Sequence, residues 1–569
     1  MLTTQWGVAL DREHPLPEYP RPQYARDSYL NLNGLWDYAI WPSQSGFAGW
    51  QGQIVVPFSP EAALSGVSRT LRPDETLFYR TTFEATADFL KDVTLLHFGA
   101  VDSSCVTQVN GEVVGGHQGG YTPFQIDISR AVRPGENELI VEVTDPTDTS
   151  WVSRGKQSSR PGGIWYTAQS GIWQTVWLES LPADYLESVQ MVSDIDRQLL
   201  QVTPSRNCRA IVFGSEFDLI GEQVNDIPVP NAAEWTPETP HLYDIDFSRG
   251  DDTVHSYFGM RKYSIGRDDA GHARLLLNNR PFFQHGLLDQ GYWPDGLLTP
   301  PSDEAMLGDI QQAKRLGFNM LRKHIKIEPA RWYHHCDREG MLVWQDMVNG
   351  GSRHNPLVTM GLPFLGLHLA DAPSTRFGRA NQEGRNAYHR ELDEMLHALR
   401  NCVCVATWVP FNEGWGQFDA NQTADHVKQR DPSRIVDHAS GWHDQGGGDI
   451  QSLHVYFRKV SLPAPDDRVL ALTEFGGYSR AIENHVWRPG KVFGYKVFKT
   501  NESWVAGFEM LYREQVLPLV SQGLSATVYT QLTDVEDEVN GLITYDREVC
   551  KLPEEVGLAI ADKLQRSIA

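Results

Sequence analysis

Over the first 180 residues, apolar and polar positions alternate in short runs. LFYRTTFEA (77–85), SSCVTQVNGEVVGG (103–116), NELIVEVTD (137–145) and QTVWLES (174–180) are separated by turn signals. A period of two predicts half-buried strands, because successive side chains point to opposite faces. Asn110-Gly111 between two such runs predicts a two-residue hairpin, and Pro134-Gly135 starts the next strand. Many short strands at this spacing predict a jelly-roll β-sandwich for residues 1–180. The pattern stays β-like from 181 to 273, in LESVQMVSD, RAIVFGSEF and DTVHSYFGMRKYSI, and ends at a DDAGH turn (268–272). Its size and strand density fit an immunoglobulin-like β-sandwich.

From 274 to 569 the rhythm changes to short apolar strands alternating with amphipathic segments of helix length. SDEAMLGDIQQAKRLG (302–317) reads as a helix with Ser302 as N-cap, acidic residues in its first turn and Gly317 at its end. FNMLRKH (318–324), MLVWQDM (341–347), VCVATWVPFNE (403–413), RIVDHAS (434–440), IQSLHVY (450–456), RVLALTEFG (468–476) and LSATVYTQLTD (524–534) read as strands, after a first at RPFFQHGLL (280–288). Strands alternating with helices predict a (β/α)8 TIM barrel, with residues 353–375 as a long loop beside its mouth.

Composition narrows the partners. With 50 Lys+Arg against 73 Asp+Glu the net charge is −23, which opposes a nucleic acid or an anionic membrane as main partner. Hydrophobic residues at 41% and charged residues at 22% exclude a disordered chain. No run approaches the length of a membrane span, and the first twenty residues lack a basic and an apolar region of a secretory leader. The six cysteines form no CxxC pair and read as buried reduced thiols. These features predict a soluble cytoplasmic protein, with self-association into a homo-oligomer left open. His334-His335 and His438 with His443 lack zinc-ligand spacing, and no dinucleotide or phosphate-loop signature occurs, so neither metal nor cofactor is expected.

In a barrel of this kind the chemistry lies at the C-terminal ends of the strands. Those ends supply Asp289, Arg322, His324, Asp346, Asn412-Glu413, Asp437, Trp442, His454, Tyr456, Glu474, Gln531, Asp534 and Glu536. Glu413 and Glu474 each follow a long apolar run, with glycine one or two residues later. Two carboxyls facing one pocket are what glycoside hydrolysis requires: one protonates the leaving oxygen, the other attacks the anomeric carbon or activates water. Trp415 and Trp442, in Gly-rich loops past strand ends, suit the apolar faces of sugar rings.

At these residues the chain resembles glycoside hydrolase family 2, the retaining family of β-galactosidases, β-glucuronidases and β-mannosidases. NLNGLWDYAI (31–40) and GGIWYTAQSGIWQTVWLE (162–179) resemble its sugar-binding jelly roll, and WTPETPHLY (235–243) its immunoglobulin-like domain. GFNMLRKHIKIEPARWYHHCDREGMLVWQDM (317–347), WVPFNEGWGQFD (408–419), ALTEFGG (471–477) and YTQLTDVEDEVNGLITYDR (529–547) resemble its barrel, in order. The resemblance implies Glu413 as acid/base, Glu474 as nucleophile, Asn412 on the substrate 2-hydroxyl, and Arg322, His454 and Tyr456 positioning nucleophile and sugar. Asp289, His324, Asp346, Trp415, Trp442, Gln531 and Asp534 complete the expected substrate-binding set. It implies a retaining exo-glycosidase acting on an oligosaccharide or glycoside, first a β-galactosidase-like enzyme. An α-L-arabinoside or β-glucuronide hydrolase is the alternative, since the segment around Glu413 reads FNEGWGQ and no Asn-x-Lys carboxylate clamp is present. A non-catalytic carbohydrate-binding protein is the reading from another class.

Overall fold

The computed structural model describes residues 2–352, 355–364, 366–464 and 466–568. Three bodies follow one another along the chain. In the first, a six-stranded antiparallel sheet runs in the order Gly52–Val56, Gly34–Pro42, Glu75–Ala85, Gly135–Thr144, Ser104–Val109, Glu112–Gln118. It shares a core with a four-stranded sheet of Leu30–Asn31, Val176–Leu181, Val93–Phe98 and Phe124–Asp127. Inward positions of both sheets, among them Trp36, Leu77, Tyr79, Phe98, Val141 and Leu178, are sealed from solvent, as strict alternation requires. Asn110 (φ 52°) and Gly111 (φ 83°) both take the left-handed conformation that a tight hairpin turn needs.

The second body pairs Val189–Asp194, Leu199–Pro204 and Asn225–Pro228 in one sheet. Its other sheet contains Ser215–Leu219, Cys208–Val212, Tyr243–Arg249 and Asp252–Phe258, and Val202, Ile227, Ile245 and Phe247 fill the space between. Buried Arg26 ties the two sandwiches together, bonding Asp252 at 2.8 and 2.9 Å and Glu179 at 3.1 Å.

The third body is an eight-stranded parallel sheet: β1 Gln284–Asp289, β2 Met320–Lys323, β3 Leu342–Asp346, β4 Val405–Val409, β5 Ile435–Val436, β6 Ile450–Val455, β7 Val469–Gly476 and β8 Leu524–Thr530. In space the order is β5-β4-β3-β2-β1-β8-β7-β6, a barrel closed everywhere except between β5 and β6. The sequence suggests a seven-residue strand at 434–440, but only two residues pair. The Asp449 carboxylate accepts from Val436 N at 2.9 Å, in place of a neighbouring strand's carbonyl, and Ser452 Oγ donates to Asp437 at 2.5 Å. These side chains, with a backbone bond from Asp449 N to Val436 O at 2.7 Å, bridge the seam that the ladder leaves open. Every residue of β1–β4 and β7–β8 is buried, as expected of parallel strands covered on both faces.

Helices α1 Asp303–Arg315, α2 Ala330–Glu339, α3 Gln382–Leu399, α4 Ala420–Arg430, α5 Asn501–Leu511 and α6 Glu554–Ile568 lie outside the strands. Ser302 Oγ caps α1 by accepting from Ala305 N at 3.2 Å, and Gly317 (φ 84°) follows its end. Part of the 353–375 loop is helical, over Leu357–Gly361 and Leu362–Phe364, while residues 353, 354 and 365 lie outside the described ones. His443 fastens this loop to the segment after β5, through Val358 O at 3.0 Å and Leu369 N at 3.1 Å. Five of the six cysteines are buried thiols. Cys550 is a correction to that expectation: it lies exposed before α6, where its thiol bonds Leu552 O. Among the described residues no helix is long and apolar enough to cross a membrane.

Candidate active site

Glu413 sits just beyond β4 in a left-handed conformation (φ 52°). Its N–H donates to Ser440 O at 3.0 Å, so the loop after β5 fixes its backbone. Gly414 (φ 73°) allows the turn, since a Cβ there would lie 2.6 Å from the His443 ring. Glu474 comes from β7, whose register shifts against both β6 and β8 around this residue. Such a bulge re-aims a side chain, and here it sets Glu474 opposite His454 of β6.

Arg322, at the end of β2, organises the site. Its guanidinium grips both Asp346 oxygens at 2.9 and 3.1 Å and donates to Asn412 Oδ1 at 2.8 Å and Glu474 Oε1 at 3.2 Å. His324 Nδ1 meets the same Asp346 carboxylate at 2.9 Å. On the opposite side the Tyr456 hydroxyl donates to Glu474 Oε2 and lies 3.1 Å from Thr530 Oγ1. His454 Nδ1 stands 2.8 Å from Glu413 Oε1 and 3.7 Å from Glu474 Oε2, between the two carboxyls. Ligand atoms of Glu413, His454 and Glu474 all lie within 4.8 Å of one another.

These contacts divide the labour electrostatically. Burial pushes the Glu413 carboxyl up from 4.5 to about 7, and Lys156 and Arg322 only partly oppose it. Glu474 instead accepts from a guanidinium and a phenol. Burial holds His454 down at about 4, so the imidazole between the carboxyls is neutral. Burial and then the Glu474 charge raise Tyr456 well above the ordinary phenol range, keeping it a donor. Burial alone would weaken the Arg322 charge, but the Asp346 and Glu474 carboxylates outweigh it and hold the guanidinium firmly charged.

The remaining expected residues separate into two groups. Asn412 Nδ2 is buried without a partner, with its Oδ1 already on Arg322, leaving a donor for a ligand hydroxyl. Trp415 packs edge-on to His324 at 6.4 Å, and Trp442 to His454 at 6.1 Å, so both border the carboxyl pair. Asp289 and Asp534 are engaged elsewhere: Asp289 binds Lys323 at 2.5 Å and Gly291 N, and Asp534 takes Lys551 on both oxygens. Gln531 begins a relay, donating to Asn540 Oδ1 at 2.8 Å, while Asn540 Nδ2 bonds Glu538 at 3.2 Å.

Four residues at the mouth escaped sequence reasoning. Tyr495 stacks on Tyr456 at 3.9 Å. Glu538 accepts from the Tyr166 hydroxyl. Lys156 stands over the rings of Tyr166 and Trp415. Tyr166 and Lys156 come from the first sandwich, and no local pattern announces that a sandwich loop reaches the barrel. Glu413, His454 and Glu474 could also offer one ligand atom each to a cation. The Arg322 guanidinium lies 3.2 Å from Glu474 and 3.5 Å from His454, and its charge opposes a second cation there. A second such group, His485, Asp546 and Glu548, is partly exposed.

A parallel barrel with paired carboxyls, one beyond strand four and one near the end of strand seven, its mouth met by an N-terminal sandwich, defines a class of multidomain TIM-barrel proteins. Comparison identifies the group within it. The family model for "Glycosyl hydrolases family 2, sugar binding domain" matches residues 65–182, and that for its "TIM barrel domain" matches residues 271–469. Together they span more than half of the sequence, and the chain belongs to glycosyl hydrolase family 2. Among curated relatives, the β-galactosidase of Photobacterium profundum is 25% identical over 425 residues, 69% of this chain and 38% of the relative. A putative β-glucuronidase of Formosa agariphila is 23% identical over 278 residues, 44% of this chain and 32% of the relative. The chain thus spans less than half the length of these curated relatives. The β-D-glucuronidase structure of Dictyoglomus thermophilum superposes with a TM-score of 0.74 at 16% identity, covering 96% of this chain and 98% of that one. A family 2 β-galacturonidase of Eisenbergiella tayi bound to glycerol gives 0.70 at 20% identity, covering 97% and 99%. These superpositions speak for the fold.

Proposed function

We propose that the protein is an exo-acting glycoside hydrolase that works with retention of configuration by double displacement. Glu474 attacks the anomeric carbon while Glu413 protonates the leaving oxygen. Glu413 then deprotonates the water that releases the glycosyl-enzyme. The observation that carries this reading is the pair itself: two carboxyls with oxygens inside 4.8 Å, one held near neutrality by burial, the other clasped by Arg322 and Tyr456. Retaining enzymes hold their carboxyls about 5–5.5 Å apart, whereas inverting ones need about 6.5–9.5 Å to admit a water between. Neutral His454 can pass a hydrogen bond from one carboxyl to the other as Glu413 changes protonation state. A carbohydrate-binding protein without catalysis would have no use for an acid poised in this way.

The substrate is a glycoside or oligosaccharide. The sequence relatives support a β-galactoside, with an α-L-arabinoside or β-glucuronide as alternative. The Lys156 ammonium, with no described carboxylate oxygen within 4.0 Å, favours an acidic sugar. Free thiols and an acidic chain fit a cytoplasmic enzyme. The test is trapping with a 2-fluoro glycoside that carries a good leaving group, followed by peptide mass spectrometry. The label belongs on Glu474, and proton NMR of early product should show the substrate's own anomer. A label on another residue, or the opposite anomer, overturns the mechanism.

A further inference from the structure

Four lysines are buried among the described residues, and three of them have carboxylate partners. Lys323 bonds Asp289 and Glu328, Lys326 bonds Glu328, and Lys551 bonds Asp534, all between 2.5 and 2.9 Å. The fourth, Lys156, is 6% exposed, and no described carboxylate oxygen comes within 4.0 Å of its ammonium. Its neighbours are rings: Tyr166 at 5.5 Å and Trp415 at 5.8 Å, the outer edge of cation–π range. An ammonium at the barrel mouth with no carboxylate in ion-pair range can take an anion supplied by a ligand.

The segment that carries Lys156 is built to hold it there. Arg154 N and Gly155 N both donate to Asn349 O, at 2.9 and 3.1 Å, and Ser153 pairs with Gly350. Gly155 has φ 58°, and a Cβ on it would come 2.9 Å from Ile325 O, so only glycine lets the loop lie this close to the end of β2. Lys156 O accepts from Tyr166 N at 3.0 Å, and Gln157 is fixed by Asp102 at 2.7 Å and Tyr121 at 2.5 Å. The lysine is thus presented to the barrel by a rigid sandwich loop.

Its place in the site indicates which part of a substrate it would meet. Trp415 lies two residues after Glu413 and packs against His324, which is itself 4.0 Å from Glu474 Oε1. A sugar whose anomeric carbon lies against Glu474 would have His324 beside it, with the Trp415 ring and the ammonium beyond. Lys156 is also the leading charge acting on both Glu413 and His324. Glu538, which also acts on Glu413, is occupied by the Tyr166 hydroxyl and Asn540, with the Tyr166 ring alongside the ammonium.

We propose that Lys156, delivered by the N-terminal sandwich, is the binding site for a carboxylate on the reacting sugar, which makes the preferred substrate a uronic acid glycoside. This rests on the glycosidase reading and names its substrate class. It also reconciles the galactoside relatives with the charge, since a galacturonide is a galactoside oxidised at C6.

The test compares nitrophenyl β-D-galacturonide with β-D-galactoside, and β-D-glucuronide with β-D-glucoside, in wild type, Lys156→Met and Lys156→Arg. Within at least one pair the wild type should favour the acidic sugar in kcat/KM by about tenfold or more. Losing one charge-assisted hydrogen bond should make Lys156→Met lower that preference by about thirtyfold, and Lys156→Arg should restore part of it. Because the Lys156 ammonium has no ion-pair partner to lose among the described residues, Lys156→Met should melt close to the wild-type temperature. Calorimetric titration with free galacturonate, glucuronate and their neutral parents gives a readout independent of turnover. Wild type should bind an acid more tightly than its parent, and Lys156→Met should not. Wild-type preference for the neutral sugar in both pairs and in titration, or equal losses on acidic and neutral sugars in Lys156→Met, would overturn the proposal. If no glycoside is cleaved and none labels Glu474, the hydrolase reading fails on its own, and the titrations still decide whether Lys156 binds a carboxylate.

Discussion

Raising the pH through the Glu413 transition is a direct test of its role. The carboxyl sits at about 7 because burial disfavours its charge. A group titrating there is ~90% protonated at pH 6, ~10% at pH 8 and ~1% at pH 9. On a substrate with a poor leaving group, kcat/KM should therefore fall about tenfold for each pH unit above 8. On a dinitrophenyl glycoside, whose leaving group needs little protonation, the limb should flatten. Glu413→Gln should lose about 10²–10⁴-fold on the poor leaving group, and its basic limb should vanish. Stability carries the same signature. The folded-state pKa lies above the free value of 4.5, so the bound proton's contribution is full below about pH 4.5 and lost as pH rises through 7. Ionising the buried group costs the folded form about 3 kcal/mol. Glu413→Gln should gain up to that much over wild type at pH 8 and little at pH 4.5, read from urea midpoints. An unchanged basic limb in Glu413→Gln, or equal losses on both leaving groups, would refute the assignment.

Three further outcomes are expected. Azide should rescue Glu413→Ala to a glycosyl azide of retained configuration and Glu474→Ala to one of inverted configuration, and NMR of the products distinguishes them. Arg322→Met should leave Asp346 and Glu474 without their buried cation, destabilising the protein by about 3–5 kcal/mol and abolishing detectable turnover; thermal melts and assays of the same preparation check both. Residues 274–569 expressed alone should be insoluble or inactive, because Lys156, Tyr166 and the Thr167–Glu536 bond would be missing from the barrel mouth, and a soluble, fully active fragment would contradict this.

What the sequence determined by itself is everything written in local periods. Alternation placed the sandwich strands, Asn110-Gly111 the hairpin, Ser302 a helix start, and the apolar runs ending in Glu413 and Glu474 the two carboxyls, because side-chain direction in strands and helices follows the backbone repeat. Those periods are silent on what meets across the barrel. That Arg322 would hold Asp346, Asn412 and Glu474 at once depends on four strand ends converging, and that His454 would stand between the carboxyls depends on a bulge in β7. Asp289 and Asp534 looked like site residues for the same positional reason as Asp346, yet Lys323 and Lys551 claim them from the chain's other turns. Lys156 shows the boundary most sharply. Nothing near it in sequence marks it as part of a pocket, and its chemistry is decided by a sandwich loop docking on β2, which sets its ammonium beside Trp415 and near Glu413.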